Sequence, residues 1–344
     1  MKTILFIGVH QQFSGLRLGA ALGTALTWQG EDVLVAGPGD QLPTYLQLPM
    51  VAVPPRVTSK ALVSLLQKNH IERVISLAYL PGCEAAASLS IPFVYIEPAN
   101  LKETKPVKNK KALLAKAHKV VVIGQPGQAL NKKLYGANAV CVANPAIWVE
   151  HYNYQKPACF KKANNIVAAG PFGKEGGFEV LLKTWARLAP AHATWHLTLV
   201  GYGAGKAALQ KFIEQHQLQA STSLVDADTD LYSLLRNADI YVNPARTSGG
   251  LNELLDAMAS KLPVITTDVP GADEYVQNAI NGLIVNTAEE EPLTIALDEL
   301  MVNWGKRVGM ALEASKQKEK FPFEDFTAQV LISLTGTATK LAWP

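Results

Sequence analysis

The stretch NPARTSGGLNELLDAMASKLPVITTDVPG, residues 243–271, reads as a strand end, a tight Gly-Gly loop, a helix, a short turn and a second strand. The same alternation extends outward in both directions. Towards the N-terminus lie NIVAAG (165–170), HLTLVG (196–201), TSLVD (222–226) and DIYVNP (239–244), and beyond the quoted stretch lies GLIVN (282–286), with helical patterns between them. An earlier set precedes these: TILFIGV (3–9), DVLVAG (32–37), RVISLA (73–78), FVYIE (93–97), KVVVIG (119–124) and AVCVAN (139–144), with helix patterns such as 16–29, 59–70 and 109–118. Continuous β-branched runs separated by helices predict parallel strands covered on both faces, a doubly wound α/β architecture.

The alternation stops and restarts once. Between Pro145 and Lys162 there is no clean period, so the linker is placed there. The predicted organisation is an N-terminal Rossmann-like domain over 1–148, a C-terminal one over 149–325, and a last helix over 326–344 that packs back on the first domain. Two such domains facing one another would form a central cleft at the C-terminal ends of their strands, where open α/β sheets bind ligands.

Composition narrows the function classes. The 344 residues carry a formal charge of only +3, which argues against binding nucleic acid through bulk charge. Cys83, Cys141 and Cys159 have neither zinc spacing nor a pairing framework and fit a reducing cytoplasm. No cluster of His, Cys, Asp or Glu has ligand spacing, so no metal site is expected. The opening run MKTILFIGVHQQ is too short for a signal-peptide core or a membrane span, and reads as a buried strand.

Three glycine-rich turns are candidates for the site. LVGYGAGK (199–206) is neither a P-loop nor a clean G-x-G-x-x-G, and reads either as a strand-to-helix turn with positive φ or as part of the cleft lining. FGKEGG (172–177) places Gly173 and Lys174 just before the helix FEVLLKTWARL, an arrangement suited to a phosphate or to a plain surface turn. In RTSGGLNELLDAMA, Ser248, Gly249 and Gly250 precede a helix that begins near Leu251 or Asn252. Bare glycines admit a ligand to the backbone, and the helix N-terminus favours an anion. Asp256, one turn beyond Asn252, shares its face and has two acceptor oxygens for a pair of ribose hydroxyls; the alternative is a solvated helix residue.

At this point the sequence resembles a known family. The run from Pro244 to Val285, with Gly249, Asn252, Leu254, Leu255, Ala257, Met258, Ala259, Pro263, Val264, Ile265, Gly271, Glu274, Asn281 and Gly282 in register, is similar to the donor-site signature of family-4 retaining glycosyltransferases of the GT-B fold. LVGYGAG, LLRNADIYVNP, FPFEDF and the N-terminal segment fall in the family's order, so the resemblance covers nearly the whole chain. It departs on the chemistry. The family's Glu-x7-Glu is Ser248-x7-Asp256 here, its diphosphate-binding Arg and Lys correspond to Pro171 and Gly176, and Lys261 replaces a glycine. Glu97 stands where the family often has His.

The resemblance implies a sugar transferred with retention from a nucleotide-diphosphate sugar to a glycan or lipid-linked acceptor, in cell-surface polysaccharide or glycoconjugate synthesis, with no metal and no cofactor. It implies that the amides of Gly249, Gly250 and Leu251 meet the diphosphate, that Lys174 and Arg246 neutralise it, that Ser248 touches the sugar, and that Asn252 and Asp256 serve the nucleotide. Glu97 would face the reacting centre, and Gln12, Ser14 and Gly15 the acceptor. The lysine-dense segment 101–119 reads as a solvated face or as a peripheral contact with the anionic inner face of the membrane. The rival expectation is a catalytically silent homologue that serves as partner subunit of an active transferase. A nicotinamide-dependent oxidoreductase lacks its required glycine set and acid.

Overall fold

Burial on both faces explains the strand sequences. In the computed structural model, which describes residues 1–8, 14–37, 48–54, 57–97, 110–123, 138–142, 145, 164–226, 229–247, 250–286 and 289–336, the apolar runs form two separate all-parallel sheets. Parallel sheets need helices on both faces, and such strands become continuous apolar runs.

The first unit comprises Met1–Pro145 together with Pro322–Pro344. Its strands are β1 (Lys2–Ile7), β2 (Asp32–Gly37), β3 (Met50–Ala52), β4 (Arg73–Leu77), β5 (Phe93–Glu97), β6 (Lys119–Ile123) and β7 (Ala139–Val142), in the order β3-β2-β1-β4-β5-β6-β7. Ile4 pairs with Leu34 on one side and Val74 on the other, and every residue of β4 and β5 is buried. Helices α1 (Ser14–Trp28), α2 (Ser59–Lys68), α3 (Leu80–Ser88) and α4 (Lys110–Leu114) belong to this unit. The helix expected over 109–118 is thus α-helical only over Lys110–Leu114. β3 was not anticipated: three residues on a sheet edge carry too little pattern.

The second unit, Ala146–Phe321, contains β8 (Asn165–Pro171), β9 (His196–Tyr202), β10 (Thr222–Asp226), β11 (Ile240–Asn243), β12 (Val264–Thr267) and β13 (Leu283–Val285), ordered β10-β9-β8-β11-β12-β13. Its helices are α5 (Phe178–Leu188), α6 (Lys206–Gln215), α7 (Leu231–Arg236), α8 (Leu251–Ala259), α9 (Ala272–Tyr275), α10 (Glu290–Val302), α11 (Trp304–Ala314) and α12 (Gln317–Lys320). Helix α5 shows the logic: Phe178, Leu181, Leu182, Trp185 and Leu188 recur at helical spacing and are all buried, which makes one face of the helix a core face. They meet Ile166, Leu197 and Ile240 of the sheet in one apolar cluster. The buried Trp185 indole N–H donates to Ser221 Oγ at 3.2 Å, which removes the cost of burying it unpaired.

The last described helix, α13 (Phe323–Thr335), returns to the first unit. Phe323, Phe326, Val330, Leu331 and Leu334 are buried, and the helix lies against α1, β5 and β6.

In the second sheet the chain runs outward from β8 through β9 to β10, then crosses back to β11. The loops after β8 and β11 therefore leave neighbouring strands in opposite directions, and this topological switch opens a crevice at the C-terminal edge of the sheet.

Candidate functional site

The β8 and β11 loops meet at closest range where glycine is required. Gly177, the residue before α5, has φ of +68°, and a Cβ built there would lie 1.8 Å from the Pro244 carbonyl oxygen. The Arg246 amide donates to the Glu175 carbonyl at 2.8 Å, which ties the loops a second time. Pro244 and Ala245 are buried, and Thr267 Oγ1 on β12 donates to the Ala245 carbonyl.

Gly250 carries the other constraint. It sits at φ +82° directly before α8, where a Cβ would approach Asn243 Oδ1 to 2.6 Å. Asn243 is itself buried, and its amide donates to Thr266 Oγ1 at 3.2 Å. Neither α5 nor α8 has a side-chain cap at its N-terminus. Two helix N-termini thus open on the crevice with backbone N–H groups and positive dipole ends, the local arrangement that suits an oxyanion.

The charges around them are mixed. Lys174 is exposed in the short 3₁₀ turn Lys174–Gly176, beside Gly173. Arg246 does not stand free: its Nη2 lies 2.6 Å from Glu179 Oε1 on the first turn of α5. Glu253, in the first turn of α8, is only 4% exposed. Tyr202 ends β9 beside Pro171; burial first, then the carboxylates of Glu253 and Glu175, push its phenol pKa up, so it stays a neutral donor.

Asp256 departs most clearly from the sequence reading. It has no exposed surface, and its Oδ2 accepts a hydrogen bond from Tyr232 Oη at 2.8 Å on α7. The reason is that α8 is buried nearly all round: Leu251, Glu253, Leu254, Leu255, Asp256, Ala257, Met258 and Ala259 are all inside. Sharing a face with Asn252 does not bring Asp256 to solvent. Arg246 is likewise engaged, its guanidinium paired with Glu179.

Of the other candidates, Gly173, Lys174, Gly250, Leu251 and Asn252 gather at the crevice. Ser248 and Gly249 lie outside the described residues, as does Gln12, while Ser14 and Gly15 begin α1 with side chains that are not described. Glu97 stands at the C-terminal end of β5 in the first unit. It is buried and ion-paired to Lys110 Nζ at 2.8 Å, with that ammonium 5.8 Å from the centre of the Tyr95 ring. A carboxylate bound in this way is not an open acid facing a substrate. Within the lysine-dense segment, residues 101–109 are outside the described part; Lys110 points inward, and Lys111, Lys116 and Lys119 are exposed.

The glycine-rich turn after β9 has Gly203 at φ +112°, and a Cβ at Gly205 would lie 1.7 Å from the Phe172 carbonyl oxygen of the β8 loop. Sequence reasoning missed Tyr202, Glu179 and Glu253. The signal for the last two was present, since both acids occupy the first turn of a helix that follows a glycine.

Residues 163–303, which hold all of the crevice, match the family described as Glycosyl transferases group 1. Across both units, the Anabaena protein Alr3699/HepE in complex with UDP and glucose superposes with a TM-score of 0.72, covering 96% of this chain and 98% of its own, at 16% identity. The fold is GT-B. Curated relatives with matching segments include an uncharacterized glycosyltransferase of Haemophilus influenzae, 25% identical over 54% of this chain and 52% of its own length. The amylovoran biosynthesis glycosyltransferase AmsK of Erwinia amylovora is 22% identical over 59% of this chain and 49% of its own. The matched part spans about half the length of these relatives. Among the described residues of this GT-B chain, no helix is long and apolar enough to cross a membrane.

Proposed function

We propose that the chain is a glycosyltransferase that takes a sugar from a nucleotide-diphosphate sugar, with retention, and places it on a glycan or lipid-linked acceptor in cell-surface polysaccharide synthesis. The observation that carries this reading is the crevice at the β8/β11 switch, where two uncapped helix N-termini flank loops held together through glycine. The family match over the same residues supports it, as do AmsK's role in amylovoran biosynthesis and the UDP held by the Anabaena protein.

In the proposed reaction, the amides of Gly249, Gly250 and Leu251 receive the diphosphate, and Lys174 adds a positive charge. These groups act most strongly on the leaving diphosphate, whose charge grows toward the transition state. Ser248 contacts the sugar, and no metal or resident cofactor enters. The acceptor belongs to the first unit, near Gln12, Ser14 and Gly15. The proposed location is cytoplasmic, with exposed Lys111, Lys116 and Lys119 against the anionic inner face of the membrane.

A second reading has its own observations. Arg246 is engaged by Glu179, Asp256 by Tyr232 and Glu97 by Lys110. A catalytically silent subunit that stabilises an active partner transferase would tolerate such internal pairing.

Calorimetric titration with UDP-, GDP-, ADP- and dTDP-sugars tests the donor site, and NMR of the product anomer tests retention. Binding of one class below about millimolar concentration, with turnover, supports the enzyme. Binding without turnover, in the presence of cell extract as well, supports the silent subunit. No binding by the protein, alone or in extract, sinks the donor-site reading.

A further inference from the structure

We infer that Glu179 is an internal stand-in for the donor's diphosphate, and that it sets donor affinity by competing for Arg246. The inference rests on the proposed donor site and adds to it a residue and a mode of control.

The geometry is specific to this pair. Arg246 is anchored by its backbone, through the amide bond to Glu175, while its guanidinium reaches across to Glu179 at 2.6 Å. Glu179 lies in the first turn of α5, two residues after Gly177, at the uncapped N-terminal end of that helix. A carboxylate there satisfies both the dipole and the arginine, the two features that would otherwise favour a phosphate. Both side chains are exchangeable, being 38% and 39% exposed, and a pair so exposed is held weakly.

Charge at the crevice is mixed. The turns at the crevice carry Lys174 and Arg246 together with Glu175, Glu179 and Glu253, and Arg246 is paired with Glu179. An arriving diphosphate therefore gains the Arg246 guanidinium only as Glu179 gives it up. After the swap the guanidinium can grip two phosphate oxygens in place of one carboxylate, while Glu179 turns to water. The backbone need not move, because the Arg246 amide and the Gly177–Pro244 contact hold the loops in place.

The test is a double-mutant cycle read by calorimetry with two probes, UDP-glucose and inorganic pyrophosphate, at low and high salt. Glu179→Gln is expected to tighten both probes by roughly twofold to fivefold, the range released by removing one exposed competitor. The gain should shrink at high salt, where exposed charges are screened. Arg246→Ala should weaken both probes, and in that background Glu179→Gln should change nothing. Glu179→Gln that binds no better than wild type overturns the inference while leaving the donor site standing. So does a gain that persists without Arg246, since it would then come from bulk charge. If neither wild type nor Glu179→Gln binds either probe, the donor-site reading fails and takes the inference with it. Binding by Glu179→Gln alone supports both.

Discussion

Gly177→Ala tests whether the crevice depends on the two loops touching. Alanine at φ +68° costs about 1–2 kcal/mol from backbone sterics alone. Its Cβ would also meet the Pro244 carbonyl at 1.8 Å, whereas real Cβ contacts stay beyond 3.0 Å, so the loops must part by about 1.2 Å. Parting them strains the Arg246–Glu175 backbone bond. The total is at least about 2 kcal/mol, which for a unit of this size lowers the melting temperature by roughly 4–8 °C. If the donor sits against these amides, one or two charge-assisted hydrogen bonds are misplaced as well, and UDP-sugar affinity falls about ten- to a hundredfold. Differential scanning fluorimetry and calorimetry read the two effects. Gly309→Ala is the control: Gly309 lies inside α11 with nothing within 4 Å of a Cβ, so alanine there should stabilise by about 0.5–1 kcal/mol. If Gly177→Ala melts within about 1 °C of wild type, the close approach is not as described.

Other outcomes follow from the buried pairs. Tyr232→Phe removes the 2.8 Å bond to the interior Asp256 and should cost about 1.5–3 kcal/mol in urea unfolding; an unchanged midpoint would show that the carboxylate is held by its other contacts. Lys110→Ala strands Glu97 in the first unit at about 3–5 kcal/mol, and adding Glu97→Gln should recover much of the loss. Burial pushes the Cys83 thiol up to about 12, so in a Cys141→Ser, Cys159→Ser variant it should resist alkylation at pH 8 until the protein unfolds; rapid native labelling counts against its burial. Burial lowers the His196 pKa below its ordinary 6.5. The unfolded chain then takes up that proton first, and stability should fall as pH drops through 6.5, a slope that His196→Gln reduces.

The sequence carried the strands well because a doubly wound sheet leaves its mark in every strand: NIVAAG or DIYVNP has no polar face to hide. It carried the crevice as well, since the glycines at 177 and 250 stand directly before helices α5 and α8. It did not carry the pairing. That Arg246 turns to Glu179 requires knowing that two loops 67 positions apart in the chain touch, and nothing near either residue records that. Asp256 misled for a related reason. Helical periodicity orders residues around α8, but the helix is enclosed on nearly every side, so the polar face it implied has no solvent to meet. Glu97 was legible as a polar end to an apolar strand, and its lysine partner, 13 positions on, was not.

The return of α13 to the first unit has a consequence for how the protein is made. Met1–Pro145 leaves the ribosome first, yet the helix that covers β5 and β6 is encoded beyond Pro322. The whole of Ala146–Phe321 is synthesised while that apolar face waits, so the unit translated second can be complete before the unit translated first. A premature stop just before Phe323 would leave the β8/β11 crevice intact and damage the opposite end of the chain. It would expose the seats of Phe323, Phe326 and Val330 on the N-terminal sheet, and aggregation through that surface is the expected fate of such a fragment.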